Sequence, residues 1–240
     1  GAGQQAVAAH SLGLLDATYA ALQLLFSADP ELWTIVGVSL SVTLRAMLIA
    51  MPVGVGCGYL LATLRFPGRR ALIVVIQGLL ASPTVVVGLM LYLLLSRQGV
   101  FGQLQLLFTQ TAMVIGQVLI ALPVLIAFSL AAIQGADPRA RETAVALGAS
   151  ATRVGWTMLV EVRFALLAAV CNAFGRIVSE IGCSLMVGGN IAGVTRNIPT
   201  AIALETSKGD FAQGIALGIV LLVVALGVNS AFAFFQGESR

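Results

Sequence analysis

Three groups of residues in this chain have types and spacings that could do chemistry. Arg176 and Glu180 stand four positions apart inside an otherwise apolar stretch, residues 164–187. On a helix that spacing puts a cation and an anion on one face. The two can hold each other as an ion pair that fixes the helix against its neighbours. Alternatively, the pair can break and re-form. A bare Arg176 could attract a dianion, but Glu180 one turn away opposes it, so Arg176 is not expected to be a tight substrate ligand. The second group is Gly188-Gly189-Asn190 with Gly193. It could offer backbone N–H groups as an anion nest, or be a flexible turn. Arg196 and Lys208 make that segment mildly basic. The third group runs from Asp137 to Ser150. Asp137 is an N-cap, Pro138 opens a helix and Gly148 ends it; Ser150 can cap a second. Ala, Val and Leu set among the charges of that first helix suit a groove on a partner protein. A solvated connector is the other reading.

Other chemistries lack their parts. The one histidine, His10, cannot build a site of several imidazoles. Cys57, Cys171 and Cys183 all fall in apolar stretches and read as small packing residues. Gly54-x-Gly56-x-Gly58 lacks the strand-turn-helix setting of a dinucleotide fingerprint, and there is no phosphate-binding G-x4-G-K-[ST]. An intramembrane enzyme would need two deep Asp or a Ser/His pair, and only Arg176 and Glu180 are deep charges.

The elements that must position these groups follow from composition. The chain has 240 residues, 59% hydrophobic and 10% charged, with a mean hydropathy of +1.00. Soluble domains run about 25% charged. This excludes an ordinary soluble protein, a disordered chain and a nucleic-acid binder, and indicates a polytopic helical membrane protein. About 20 apolar residues cross a bilayer as a helix. Five stretches qualify: 46–64 with its extension upstream to Trp33, 71–96, 104–133, 164–187 and 211–235. Asp29-Pro30-Glu31 starts the first. Small residues after Pro52 allow close packing, and Ser82-Pro83-Thr84 and Leu122-Pro123 mark kinks. Leu12, Leu15, Tyr19, Leu22 and Phe26 recur at helical spacing in 5–27. They define an N-terminal amphipathic helix against the membrane or the bundle, or a sixth span. The start, Gly1-Ala2-Gly3, leaves a signal peptide open.

Basic residues set the orientation. Arg65, Arg69 and Arg70, then Arg139, Arg141, Arg153 and Arg163, and finally Arg240 share one side of a five-span chain. Arg97, Arg196 and Lys208 lie on the other. The 134–163 loop is therefore expected in the cytosol, the N-terminus outside and the C-terminus inside. Arg45, in the first span, is expected to snorkel to the surface.

Glu142-Thr143-Ala144, three residues, then Gly148 resembles the EAA loop of ABC importer permeases, with Thr143 at the second position and Met158 and Val160-Glu161 at the distal end. The family's proline is missing there, and a more continuous helix from Ser150 into the fourth span is expected. Gly175-Arg176-Ile177-Val178-Ser179-Glu180-Ile181-Gly182 resembles the R-x-x-S-E-x-G pattern of molybdate and tungstate permeases. Met186 to Gly193, Ala201 to Phe211, Arg65 to Arg70 and Leu122-Pro123 are similar to the tungstate branch. The resemblance covers the chain from about residue 20.

The resemblance implies an all-α polytopic membrane protein of the MetI-like type I importer architecture. It has about five transmembrane helices after an N-terminal amphipathic helix. Residues 1–29 would form that helix and 30–240 the transmembrane domain with its 134–163 coupling loop. It implies a homodimer in lipid, a cytosolic ATPase dimer and an extracytoplasmic oxyanion-binding protein. No cofactor is expected on this chain; ATP and Mg belong to the partner ATPase. Asp137, Pro138, Arg141, Glu142, Ala144, Gly148 and Ala149 would couple to that ATPase. Arg176, Ser179, Glu180 and Gly182 would be pore or gate candidates, and Gly188, Gly189, Asn190 and Arg196 outer-loop candidates. Tungstate is the favoured cargo, molybdate or sulfate the alternatives, and a passive anion channel a separate class.

Overall fold

The structure, a computed structural model, describes residues 2–237, with side chains for 13–231, 233 and 234. The His10 side chain and Arg240 lie outside the described residues. The described residues form eleven α-helices and a short 3-10 turn, with no strand among them. Backbone polar groups in lipid must be satisfied within the segment, which leaves helices as the solution for an open chain.

The centre of the bundle is α2 (Pro30–Thr63) packed along α5 (Gln110–Gln134). Asp29 starts α2 by accepting the Leu32 N–H at 3.2 Å, with Pro30 in the first turn. A Cβ on Gly54 would lie 2.5 Å from Leu125 Cβ, and one on Gly58 2.7 Å from Ser129 Cβ. The two helices therefore approach more closely than side chains would allow. Both run unbroken through Pro52 and Pro123. The core between them contains Val42, Ala46 and Ala50 against Met113, Ala121 and Leu125. Cys171 and Cys183 are buried and Cys57 half-buried, all three as free thiols.

The expected second span is two helices, α3 (Arg69–Leu80) and α4 (Thr84–Leu95), meeting at 103°. Pro83 offers no N–H and disfavours a helical Ser82, so the chain turns there. Helix α6 (Pro138–Ala146) follows α5. Helices α7 (Ala151–Glu161) and α8 (Arg163–Val178) meet at 68°. The continuous helix expected from Ser150 is thus corrected to a bent pair. The cause is tertiary. Val154, Gly155, Met158 and Val162 are buried, and a Cβ on Gly155 would meet Tyr59 Oη at 2.9 Å. Gly155 thus packs closely on Tyr59 of α2, one of the contacts that hold α7 against the bundle. The Arg163 guanidinium donates to the Val160 carbonyl at 3.2 Å, satisfying an acceptor at the bend.

Short α9 (Gly182–Gly188) and α10 (Ile198–Lys208) precede α11 (Phe211–Gly237). Among the described residues three helices, α2, α5 and α11, are each long and apolar enough to cross a bilayer, and the count is five if each bent pair forms one span. Helix α1 (Ala2–Phe26) packs on α11. Ala17, Ala20, Leu24 and Leu25 are partly covered and Ala21 is buried, whereas Leu15, Tyr19, Leu22 and Phe26 face outward. Three alanines with Leu24 and Leu25 make the helix contact, and the described part of the periodic apolar stripe, Leu15 to Phe26, points away from the bundle, Leu12 lying outside the described side chains.

Candidate functional site

The turn from Asp137 to Ala149, built on α6, forms an exposed elbow, while α7 after it packs on the bundle. The Asp137 carboxylate accepts the Arg139 N–H at 2.9 Å and Pro138 opens α6. Gly148, at φ +76°, ends it by donating its N–H to the Val145 carbonyl at 2.9 Å, and the Ala149 N–H reaches Ala144 O at 3.0 Å. A left-handed residue here is the reason for glycine. Helix α6 buries none of its side chains. Arg141 and Glu142 are exposed, Ala144 and Ala149 half-buried, and Val145 and Leu147 are 55% and 81% exposed. Ser150 precedes α7, but its hydroxyl meets Thr152 Oγ1 at 3.1 Å and caps no backbone N–H.

Arg176 and Glu180 do not share a helix face, which corrects the expected pair. Helix α8 ends at Val178, and the chain turns at Ser179 and Glu180 before α9. Glu180 is buried, 5% exposed. Its Oε1 accepts the Cys183 N–H at 3.1 Å, and its Oε2 is buried without a hydrogen-bond partner among the described residues. No ion pair joins it to Arg176. The Arg176 side chain instead reaches a cleft between α4, α5 and α8 of about 250 Å³. Ser179 is exposed and donates to Gly175 O at 2.8 Å. Gly182 is a contact point: a Cβ there would lie 2.5 Å from Val85 Cγ2.

The segment after α9 is closed by its own hydrogen bonds. Thr195, fully buried, donates its hydroxyl to Gly188 O at 2.6 Å and accepts the Ile191 N–H at 2.9 Å. The Gly189 N–H goes to Leu185 O at 3.1 Å. The Gly189 N–H of the expected nest and the neighbouring Ile191 N–H are thus spent inside the loop, and the loop is a braced turn. Gly189, Asn190 and Gly193 take positive φ, +71°, +51° and +73°. The Arg196 guanidinium holds Asn190 Oδ1 at 3.2 Å and Asn190 O at 3.3 Å, and stands 3.8 Å from Glu31. Much of its charge is answered locally. Arg45 donates to Ser41 O at 3.0 Å and to the Gln110 carboxamide, whose Nε2 donates to Val194 O at 2.7 Å. This chain ties α2, α5 and the loop together.

Sequence reasoning missed α10 and its anchor. Asn197 accepts the Thr200 N–H at 3.1 Å and Thr200 Oγ1 accepts the Asn197 N–H at 3.1 Å, a reciprocal cap. Asn197 also reaches Ser184 Oγ at 3.4 Å. The signal was present as Asn197, Pro199 within the first turn, and Gly209 past the end.

Long apolar helices together with two bent pairs define a polytopic membrane protein. The chain matches, over residues 52–237, the family described as binding-protein-dependent transport system inner membrane component, and it belongs to that family. A probable anion ABC transporter permease protein of Haloferax volcanii is 39% identical over 211 residues, 86% of this chain and 91% of that protein. The tungstate uptake system permease protein TupB of Campylobacter jejuni is 38% identical, over 90% of each. The molybdenum transport system permease protein ModB of Escherichia coli is 29% identical, over 88% of this chain and 96% of that one. Among solved structures, an inward-facing MetNI methionine ABC transporter has a TM-score of 0.70 at 15% identity, over 89% of this chain and 99% of that one. A bacterial alginate ABC transporter with a pentasaccharide-bound periplasmic protein has 0.71 at 17%, over 96% and 88%. These two show the fold. The all-α, type I importer permease architecture expected from the sequence is the one observed.

Proposed function

We propose that this chain is the membrane-spanning subunit of an ATP-driven importer for a tetrahedral oxyanion, with tungstate the favoured cargo. Relatives at 36–39% identity bear tungstate or anion names. Those named for molybdenum and sulfate stand at 27–30%. Molybdate and then sulfate are therefore the alternatives.

In this reading two copies form the pathway, a binding protein delivers the oxyanion to the outer face, and a cytosolic ATPase dimer supplies the work. ATP and Mg belong to that partner. Arg65, Arg69 and Arg70 together with the arginines of 139–163 support a cytosolic elbow, by the positive-inside rule. Asp137, Pro138, Arg141, Glu142, Ala144, Gly148 and Ala149 shape the docking helix. Its movement with the closing ATPases shifts the pathway between outward and inward access.

The observation that carries this reading is α6 itself: capped at one end, stopped by a left-handed glycine at the other, and with no fully buried residue. A short helix gains its stability mainly from packing of a face, so this one is built to be completed by a partner. A passive channel has no use for it. The test is Leu147→Glu in the full complex. It places a charge on the most exposed apolar residue of the elbow while removing no contact from the bundle. Expected are normal permease yield, loss of the co-purifying ATPase and at least a ten-fold fall in oxyanion uptake. Unchanged co-purification and uptake would overturn the coupling role. Competition among tungstate, molybdate and sulfate in vesicles holding the complex ranks the cargo.

A further inference from the structure

We infer that Arg176, Ser82 and Thr84 form a weak oxyanion contact point partway along the translocation path, a site that rests on the oxyanion reading above and deepens it. The three side chains come from separate parts of the chain and line one cleft, of about 250 Å³, with Leu91, Leu119 and Pro123. Ser82 stands at the break between α3 and α4, Thr84 begins α4, and Arg176 lies in the last turn of α8. None of the three polar side-chain ends has a hydrogen-bond or ion-pair partner among the described residues. The rest of the cleft wall is almost entirely apolar.

The depth of the cleft decides its surroundings. Ile120 and Pro123 lie near the middle of the 25-residue α5, which is ~37 Å long at 1.5 Å per residue. An unpaired guanidinium at that depth cannot face hydrocarbon, and intramembrane charges line water-filled cavities or meet partners. The cleft is therefore a wet surface of the path. Arginine's planar fork matches two oxygens of a tetrahedral oxyanion, and two hydroxyls can donate to the others.

The sequence objection to Arg176 was Glu180 one helical turn away. That turn does not exist. Glu180 lies beyond the end of α8, buried, with one oxygen on the Cys183 N–H, and it does not line the cleft. The apolar wall and single cation suit a contact that must also release its cargo.

The test uses the complete complex in vesicles. The Ser82→Cys variant is treated with an anionic and a cationic methanethiosulfonate of similar size, with the parent's own cysteines labelled in parallel. The anionic reagent should react at least five-fold faster, millimolar tungstate should slow it, and the preference should vanish when Arg176→Gln is added. Arg176→Gln alone should lower oxyanion uptake at least ten-fold, with Arg176→Lys restoring part of it. Ser82→Ala with Thr84→Val should raise the half-saturating concentration of loaded binding protein little while cutting maximal uptake two- to five-fold. If the parent complex transports oxyanion but Ser82→Cys shows no anionic preference and no protection, the contact point is wrong and the importer reading stands. If Arg176→Gln does not assemble, the labelling of Ser82→Cys beside the native Arg176 still decides. If the parent complex carries no oxyanion, the underlying reading fails.

Discussion

The elbow around α6 and the ledge around α10 are both short capped helices outside the long spans, yet they are held in opposite ways. The ledge satisfies itself. Thr195, Asn197 and Thr200 are essentially fully buried and bond one another's backbone or that of Gly188 and Ile191. Ile198 and Ala201 pack with Ala216 and Leu217 of α11. Helix α6 of the elbow has caps and a bend but no buried residue of its own. A segment that is fully satisfied resists movement, because each buried polar group that loses its partner incurs a desolvation cost. A segment held by caps alone can be displaced as a unit. The difference separates a fixed frame from a movable handle, as coupling to a partner requires.

The largest effect expected is therefore in the ledge. Asn197→Ala removes the acceptor for the Thr200 N–H and the bond to Ser184, in a site closed to water. Losing a cap costs about 1 kcal/mol, and stranding buried donors adds about 1–3 kcal/mol. A loss of roughly 2–4 kcal/mol should appear as a clearly lower thermal midpoint of the permease in detergent. Thr195→Val should follow closely, since one hydroxyl serves both Gly188 O and the Ile191 N–H. If either variant melts like the parent, the ledge is not the rigid partner in the comparison.

The same contrast explains what the sequence made legible. Asp29, Asp137, Pro138 and Gly148 act locally, through backbone groups within a few residues, and their roles could be read in order along the chain. The ends of α10 were equally readable at Asn197 and Gly209. Apolar run length does not reveal this helix, because 11 residues carrying Glu205 and Lys208 are too short and too polar for a span. The Arg176–Glu180 pairing failed because a spacing of four means one face only if the helix continues. Here Ser179 and Glu180 leave the helix and Glu180 caps the next one. The bend at Val162 has no local signal at all. Helix α7 packs through residues such as Gly155, which meets Tyr59 nearly a hundred residues earlier in the chain.

A smaller effect is expected at the elbow's own cap. Asp137→Ala removes one carboxylate bond to the Arg139 N–H, on an exposed turn where water can replace it. About 1 kcal/mol of local helix stability is at stake, with no change in the global melting of the permease, because α6 supports no core. Faster amide hydrogen exchange across 138–147, with exchange in α10 unaltered, is the expected pattern. A global loss of stability would mean that the elbow is part of the frame after all.

The smallest effect is expected at Ser150, and it isolates geometry from residue type. Serine before a helix is among the preferred caps, and by sequence Ser150 ranks with Asn197. Its hydroxyl, however, meets Thr152 Oγ1 and accepts from no backbone N–H. The start of α7 is fixed instead by Val154, Gly155 and Met158 against the bundle. Ser150→Ala should therefore change stability by no more than about 0.5 kcal/mol, the scale of ordinary surface substitutions. Melting and exchange of 151–161 should match the parent within error. A loss near 1 kcal/mol, as for a working cap, would mean that the hydroxyl turns to a backbone N–H in the membrane. The elbow would then be fixed at its α7 hinge as well as at Asp137, and the contrast between handle and frame would narrow to the α6 turn alone.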